Sequence, residues 1–257
     1  MKTARKYCDR FSVIKMEFNN IRRILSCTRR AVDRFSMIND GDRIAVGLSG
    51  GKDSIALLAA LHDLKRFYPA DFSLYGITVS MGFKDFDAGP LKDFCEKLGV
   101  GFSLIETRLA ELIFEERKES NPCSLCARMR RGILHDTAKA LGCNKLALGH
   151  HYDDVIDTFM LNLFNEGRLA TFLPVTYLSR KDITVIRPFI YLPEKDIRYF
   201  ISKNDLPVIK SPCPEDKHTD RETLHKLIGD LDRERKGLKH RIFNAIEEGG
   251  LLDKESE

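Results

Sequence analysis

Ser49-Gly50-Gly51-Lys52-Asp53-Ser54 packs two adjacent glycines, a lysine, a carboxylate and two hydroxyls into six residues. The segment follows a short apolar run, Ile44 to Leu48, and opens a helical pattern carried by Ile55, Leu57, Leu58, Leu61 and Leu64. A strand that turns through glycines into a helix presents unpaired amide N–H groups to an anion, and paired glycines let the ligand approach the backbone. Lys52 adds a positive charge on a long stem. The chemistry this supports is phosphate binding, with a nucleotide as the candidate ligand. An ordinary strand-to-helix turn would need the glycines but has no use for the Lys-Asp-Ser that follows. Spacing narrows the choice. A Walker A loop would place Gly at Val46 and Ser or Thr at Asp53, and the intervals of Gly47, Gly50 and Gly51 do not fit G-x-G-x-x-G.

Two further segments carry reactive side chains. Asn121-Pro122-Cys123-Ser124-Leu125-Cys126 holds a C-x-x-C pair, a spacing that lets two thiolates reach one metal at a helix start. Half a zinc site, a redox pair and part of an iron–sulfur site remain open, with thioredoxin chemistry disfavoured because the pair does not follow the first strand of a βαβ unit. Ser211-Pro212-Cys213-Pro214 presents Cys213 on a stiff, non-helical segment as a candidate third ligand. Cys95 and Cys143 sit among apolar residues and read as buried thiols, while Cys8 and Cys27 lie in the basic N-terminal segment, exposed or inert. Gly149-His150-His151-Tyr152-Asp153-Asp154 follows another short apolar run, and Arg187-Pro188 a third. Aspartates there could bind Mg²⁺ or cap a helix.

These groups need a scaffold. The pattern predicts helices over 17–38, 54–67, 91–98, 126–141, 154–165, 194–203 and 221–246, and strands over 44–48, 73–79, 101–106, 145–148 and 183–186. Alternation of this kind predicts an α/β fold with a doubly wound, mainly parallel sheet, whose ligands lie beyond the carboxyl ends of the strands. Segments 49–54, 149–154 and 187–188 all fall at such ends. Three regions are expected: a basic helical N-terminal extension over 1–40, a nucleotide-binding domain with the cysteine site over 41–213, and C-terminal helices with an acidic, disordered tail over 214–257.

The 257 residues carry 43% hydrophobic and 31% charged side chains and a net charge of +4, which are globular values. No apolar run reaches the roughly 18–20 residues of a membrane span, and the first residues lack the apolar stretch of a signal peptide. A cytoplasmic protein follows, and seven cysteines there read as thiols or metal ligands. Residues 1–40 hold ten Lys and Arg against four acids, so this segment could contact a polyanion such as RNA or simply be a solvated helix face.

Ser49 to Ser54 resembles the PP-loop of the ATP pyrophosphatases, which cleave ATP between the α and β phosphates and transfer AMP. Together with Pro122 to Leu134 and Leu148 to Asp154, it makes the chain resemble the TtcA-type tRNA 2-thiolation proteins, which install 2-thiocytidine in the anticodon loop. The resemblance covers about Ile21 to Cys213 and implies an adenine nucleotide α-hydrolase-like fold. ATP and Mg²⁺ would then be held among Ala45, Gly47, Ser49, Gly50, Gly51, Lys52, Asp53, Ser54, Val79, Gly149, His150, Asp154 and Arg187. Lys52, Asp53 and Asp153 would be catalytic, and a [4Fe-4S] cluster would sit on Cys123, Cys126 and Cys213. Arg128, Arg130 and Arg131 become candidates for RNA backbone contact, or a solvated face. The implied partners are tRNA and a sulfur donor, either a cysteine desulfurase system or free sulfide, with a homodimer as a candidate assembly. Two features set the chain apart. Cys213-Pro214-Glu215-Asp216 stands where such proteins carry a second C-x-x-C, and the flanking cysteine pairs of uridine-thiolating relatives are missing. Two alternatives are a ligase of the lysidine-synthetase type with no cluster and a non-catalytic zinc- and RNA-binding protein.

Overall fold

The computed structural model describes residues 16–83, 85–116, 122–210, 213 and 220–253. Cys8 and the side chain of Cys123 lie outside the described residues.

Six strands form one sheet: β1 (Asp42–Gly47), β2 (Phe72–Ser80), β3 (Gly101–Glu106), β4 (Lys145–Ala147), β5 (Val175–Leu178) and β6 (Ile183–Ile186), in the order β3-β2-β1-β4-β6-β5. All neighbours are parallel except the β5–β6 pair at the edge. The order reverses between β1 and β4, which places the switch point between the strands that feed Ser49 and Gly149. A buried ion pair pins those strands at their other end. Lys145 Nζ lies 2.6 Å from Asp42 Oδ2 and donates to the Met37 carbonyl at 2.8 Å, while Asn144 Nδ2 donates to Asp42 Oδ1 at 2.7 Å. Removing one member of such a satisfied pair costs about 3–5 kcal/mol.

Helices cover both faces. α1 (Arg22–Arg34), α2 (Lys52–Leu64), α3 (Gly89–Lys97) and α6 (Glu194–Asn204) share the larger core with Ile44 and Val46. Ile55 through Leu61 are all fully buried because α2 is enclosed by the sheet on one side and α1 and α6 on the other. α4 (Pro122–Ala140) packs Leu134 and Ala138 on the opposite face against Ala45, Ile77 and Leu146. α5 (Tyr152–Glu166), α7 (Asp220–Glu234) and α8 (Leu238–Glu248) pack on one another at the sheet's carboxyl side.

The expected elements recur with five corrections. β5 was not foreseen, and neither was the π-helical turn at Glu111–Glu116. The first helix is shorter than 17–38, because Asn20 and Ser36 take positive φ at its two ends. The helix expected over 221–246 is two, broken where Gly237 takes φ 82°. The acidic C-terminus expected to be disordered is helical through Glu248, with Leu252 buried and Glu247 accepting from the Tyr191 hydroxyl at 2.8 Å.

Candidate active site

The carboxyl ends of β1, β4 and β6 meet at one edge. Leu48 passes into the Ser49–Ser54 turn, which ties itself together. Ser54 Oγ donates to the Gly51 carbonyl at 2.9 Å and accepts from the Ser49 amide at 3.2 Å, and the Gly51 amide donates to Ser49 Oγ at 3.3 Å. Gly50 is required twice over. Its φ is +83°, and a Cβ there would stand 3.1 Å from Ile209 Cβ, where the Ile209 amide donates to the Gly50 carbonyl at 2.9 Å. Gly149 lets the loop after β4 lie on the start of α2, since a Cβ there would be 3.0 Å from the Asp53 carbonyl carbon. The turn is therefore flanked by Ile209 and by the Gly149 loop, and it carries the α2 amides that a helix start leaves without intrahelical partners.

Lys52 is held between two carboxylates. Its Nζ lies 3.1 Å from Asp53 Oδ2 and 2.9 Å from Glu194 Oε1. Burial works against its charge, but Asp53 and Glu194 outweigh burial and keep its pKa above the ordinary value. Burial raises the Asp53 carboxyl, partly offset by His151 and Lys52, and Asp53 Oδ1 is buried with no hydrogen-bond partner among the described residues. Asp154 adds a second nearby negative charge that raises Asp53 further. An orphaned carboxylate oxygen beside a second carboxylate suits a hard cation that completes its shell with phosphate oxygens and water.

Asp153 and Asp154 have different tasks. Asp154 Oδ2 accepts from the His151 amide at 2.9 Å, capping α5, and Oδ1 accepts from Arg221 at 3.0 Å. Asp153 is buried and both its oxygens are engaged, one by the Glu194 amide at 2.8 Å and one by Lys239 Nζ at 2.6 Å. Burial would raise its pKa, but these two donors prevail and lower it.

On the other side of Gly149, His150 and Arg187 flank an aromatic ring. The His150 and Phe172 ring centroids are 5.1 Å apart, and the Arg187 guanidinium carbon is 5.2 Å from the Phe172 centroid. Arg187 donates to the Leu173 carbonyl at 2.6 Å and to Thr176 Oγ1 at 3.1 Å, while its Nε and His150 Nδ1 are buried without partners among the described residues. Burial, then the nearby Arg131, push Arg187 down to about 10, and burial with Arg187 pushes His150 down to about 4. Arg187 Nε and His150 Nδ1 are thus two buried polar atoms that an incoming ligand could engage, with the Arg187 guanidinium favouring an anion and Asp154 the nearby acid.

The C-x-x-C pair occupies the first turn of α4, four residues earlier than the helix start expected from sequence. Toward its C-terminus α4 touches mid-strand residues, whereas Leu125 and Cys126 pack with Met81, Leu109 and Ile113, beyond the end of β2. Cys126 is thus at the carboxyl edge, half-buried. Cys213, also half-buried, follows Ile209 by four residues, so the chain keeps it within about 14 Å of the Gly50–Ile209 bond.

A family model described as a PP-loop domain matches residues 24–231. A tRNA-cytidine(32) 2-sulfurtransferase of Pelobacter propionicus is 37% identical over 252 residues, covering 96% of this chain and 94% of that protein. One from Geobacter sulfurreducens is 39% identical over 237 residues, covering 90% and 92%. The chain belongs to the tRNA-cytidine(32) 2-sulfurtransferase family of PP-loop proteins. Among solved structures, the U34-tRNA thiolase NcsA from Methanococcus maripaludis with its [4Fe-4S] cluster superposes with a TM-score of 0.72 at 25% identity, over 91% of this chain and 80% of that one.

Within this family member the edge gathers Gly47, Ser49 to Ser54, Gly149, His150, Asp154 and Arg187, and Val79 stands near the end of β2, half-buried. Ala45 is not brought to the edge; it is fully buried inside β1, against α4. Arg128, Arg130 and Arg131 are exposed on α4. Cys95 and Cys143 are buried, as expected, and burial pushes the Cys95 thiol up to about 12. Sequence reasoning missed Glu194, Phe172, Arg221 and Lys239. The pattern around Pro193 marked a helix start, which is where an acid is favoured, but nothing local linked Glu194 to a lysine far away in the chain.

Proposed function

We propose that this chain thiolates cytidine in tRNA, using ATP to activate the base. The observation that carries the reading is the shared edge: the phosphate-binding loop and the cysteine-bearing start of α4 both lie beyond the carboxyl ends of the strands, and Ile209, near Cys213, is bonded to Gly50. A loop that cleaves ATP gains a purpose when sulfur is held beside it.

The cytidine C2 oxygen is a poor leaving group. It attacks the α-phosphorus of ATP, the bond to the β-phosphate oxygen breaks and pyrophosphate departs. The amides of Gly51 to Asp53 and the Lys52 ammonium stabilise the charge on that leaving group. Asp53, with Asp154 beside it, would hold Mg²⁺, which would supply charge neutralisation at the phosphates. Asp153 serves as a positioning residue, fixing Glu194 and hence Lys52. Arg187 and the neutral His150 face the adenylated base, where Arg187 balances the α-phosphate. Sulfide then attacks C2, the C2–O bond breaks and AMP leaves, with no change in oxidation state. Cys123, Cys126 and Cys213 would hold a [4Fe-4S] cluster, which would supply, when bound, a site for sulfide. The half-buried Cys126, packed among apolar side chains, suits such a group. A cysteine desulfurase system or free sulfide supplies the sulfur in the cytoplasm, where tRNA is found, and the chain works alone or as a homodimer.

The test combines products and nucleosides. Anaerobically purified protein should be brown and convert ATP to AMP and pyrophosphate in the presence of tRNA. ADP and phosphate as products would end the PP-loop reading. Cells lacking the protein should lose 2-thiocytidine on mass spectrometry of tRNA nucleosides, and an unchanged profile would reject cytidine as the substrate. Cys213→Ala should abolish thiolation while leaving ATP binding intact.

A further inference from the structure

A cavity of about 740 Å³ lies between α1, α6, α7 and α8, next to the PP-loop lysine but outside the loop itself. Its charges are sorted by depth. At the mouth stand Arg23, Arg30 and Arg198, whose side chains are 66%, 61% and 64% exposed, with the exposed Lys195 and His240 beside them. Deeper lie Asp153, Glu194 and Glu247, only 7%, 15% and 20% exposed. Each inner carboxylate is matched: Asp153 by Lys239, Glu194 by Lys52, and Glu247 by Arg34 and the Tyr191 hydroxyl. Asp232, the remaining acid of the lining, accepts from the Lys239 amide at 3.0 Å. The rim arginines are paired too, Arg23 with Asp196 at 3.2 Å, Arg30 with Glu247 at 3.7 Å and Arg198 with Glu194 at 2.8 Å, so five Lys and Arg face four acids and the lining carries a small positive excess whose cations lie outermost.

The wall is aromatic. Tyr152 and Phe243 stack at 4.3 Å, Tyr191 meets Phe243 edge-on at 5.8 Å, and the Arg30 guanidinium carbon lies over the Tyr191 ring, 4.0 Å from its centroid. A flat cation on a ring, opening into a nucleotide-sized space behind a rim of arginines, matches phosphates outside and a base inside.

We infer that this cavity is a docking site for a single-stranded segment of the RNA substrate, with one nucleotide seated in it and its neighbouring phosphates on the α1 and α6 cations. The inference rests on the sulfurtransferase reading and adds a second anchor to it. Glu194 belongs to both places, since it lines the cavity and holds Lys52. Phosphates contribute affinity without sequence preference, so the site would grip the loop of any cognate tRNA while the base to be modified enters the active edge.

The test uses the full chain with its cluster. Arg23→Glu/Lys195→Glu removes two rim cations, and Lys92→Glu/Lys97→Glu on α3 makes the same charge change away from the cavity. tRNA affinity is measured for both and for the wild type across a salt series. The cavity variant should bind at least 10-fold more weakly and show a shallower salt slope, by about 1.4 for two lost contacts on single-stranded RNA. The α3 variant should stay within about 2-fold, and ATP binding should be unchanged in both. Equal losses in the two variants, or none in the cavity variant, would overturn the inference and leave the sulfurtransferase reading standing. Photo-crosslinking of wild-type protein to 4-thiouridine-containing tRNA does not depend on how the variants fold. Crosslinks in α1, α6 or α8 are expected, and crosslinks confined to other elements would overturn the proposal. Failure of the wild-type chain to bind tRNA at all would remove the sulfurtransferase reading first and this inference with it.

Discussion

Lys52 and Arg187 stand at the carboxyl edge on either side of β4, and the fold treats them in opposite ways. Lys52 has two carboxylates within 3.1 Å and a raised pKa. Arg187 pairs with no carboxylate among the described residues, and has an orphaned Nε and a pKa pushed down to about 10 by burial and Arg131. A cation already matched must exchange partners when phosphate arrives, so binding there is reversible by design and suits a group that leaves. A cation left unmatched is pre-organised for an anion and gains most when one is delivered, which suits a group held through the chemistry. On the proposed mechanism the lysine would serve the departing pyrophosphate, and the arginine the phosphate that stays on the base.

The largest expected effect breaks the first half of that contrast. Lys52→Ala should reduce AMP formation by about 10²–10³-fold, as for loss of a donor at a developing negative charge; activity within 5-fold of the wild type would remove Lys52 from catalysis. Arg187→Ala should lower thiolation by about 10²-fold, and Arg187→Lys should restore little of it, because an ammonium cannot reproduce the fork that reaches Leu173 and Thr176. Full rescue by lysine would mean that charge alone matters there.

A smaller effect concerns Glu194. Burial works to raise its carboxyl, yet Lys52 and Arg198 hold it down at about 2, from the ordinary 4.5. A depressed folded pKa means stability that is present above about 4.5 and lost as pH falls toward 2, on the order of 3 kcal/mol in all. Glu194→Gln should therefore be less stable than the wild type at pH 7, with the gap narrowing below pH 4.5 and closing toward pH 2 in denaturant titrations. A gap independent of pH would show that the charge does not contribute. The smallest effect is a flat line. With His150 pushed down to about 4, the imidazole is neutral across neutral pH, so thiolation should have no inflection between pH 5 and 7 that disappears in His150→Asn. That variant should lose about 10-fold through the lost contact, with the shape of its profile unchanged.

Legibility followed distance along the chain. The Ser49–Ser54 loop and the C-x-x-C were readable because their chemistry sits within six residues, and strand ends at Leu48, Leu148 and Ile186 could be placed from apolar runs. Val175-Thr-Tyr-Leu, β-branched and aromatic before Ser-Arg-Lys-Asp, has the composition of a hairpin strand and was passed over because it is short and partly exposed. What the sequence could not disclose were pairings between remote segments, such as Lys52 with Glu194, Asp153 with Lys239 and Asp154 with Arg221. The aspartate pair illustrates the limit. Two adjacent acids at a helix start look equivalent, and only packing separates the one that faces the loop from the one buried against Lys239. Ala45 illustrates the reverse, since a residue near the motif in sequence was enclosed by α4.

The single backbone bond between the Ile209 amide and the Gly50 carbonyl ties two timetables together. Gly50 belongs to the turn proposed to take the phosphates, and Ile209 precedes Cys213 by four residues. On that proposal, nucleotide occupancy and sulfur delivery would share a mechanical linkage one hydrogen bond wide.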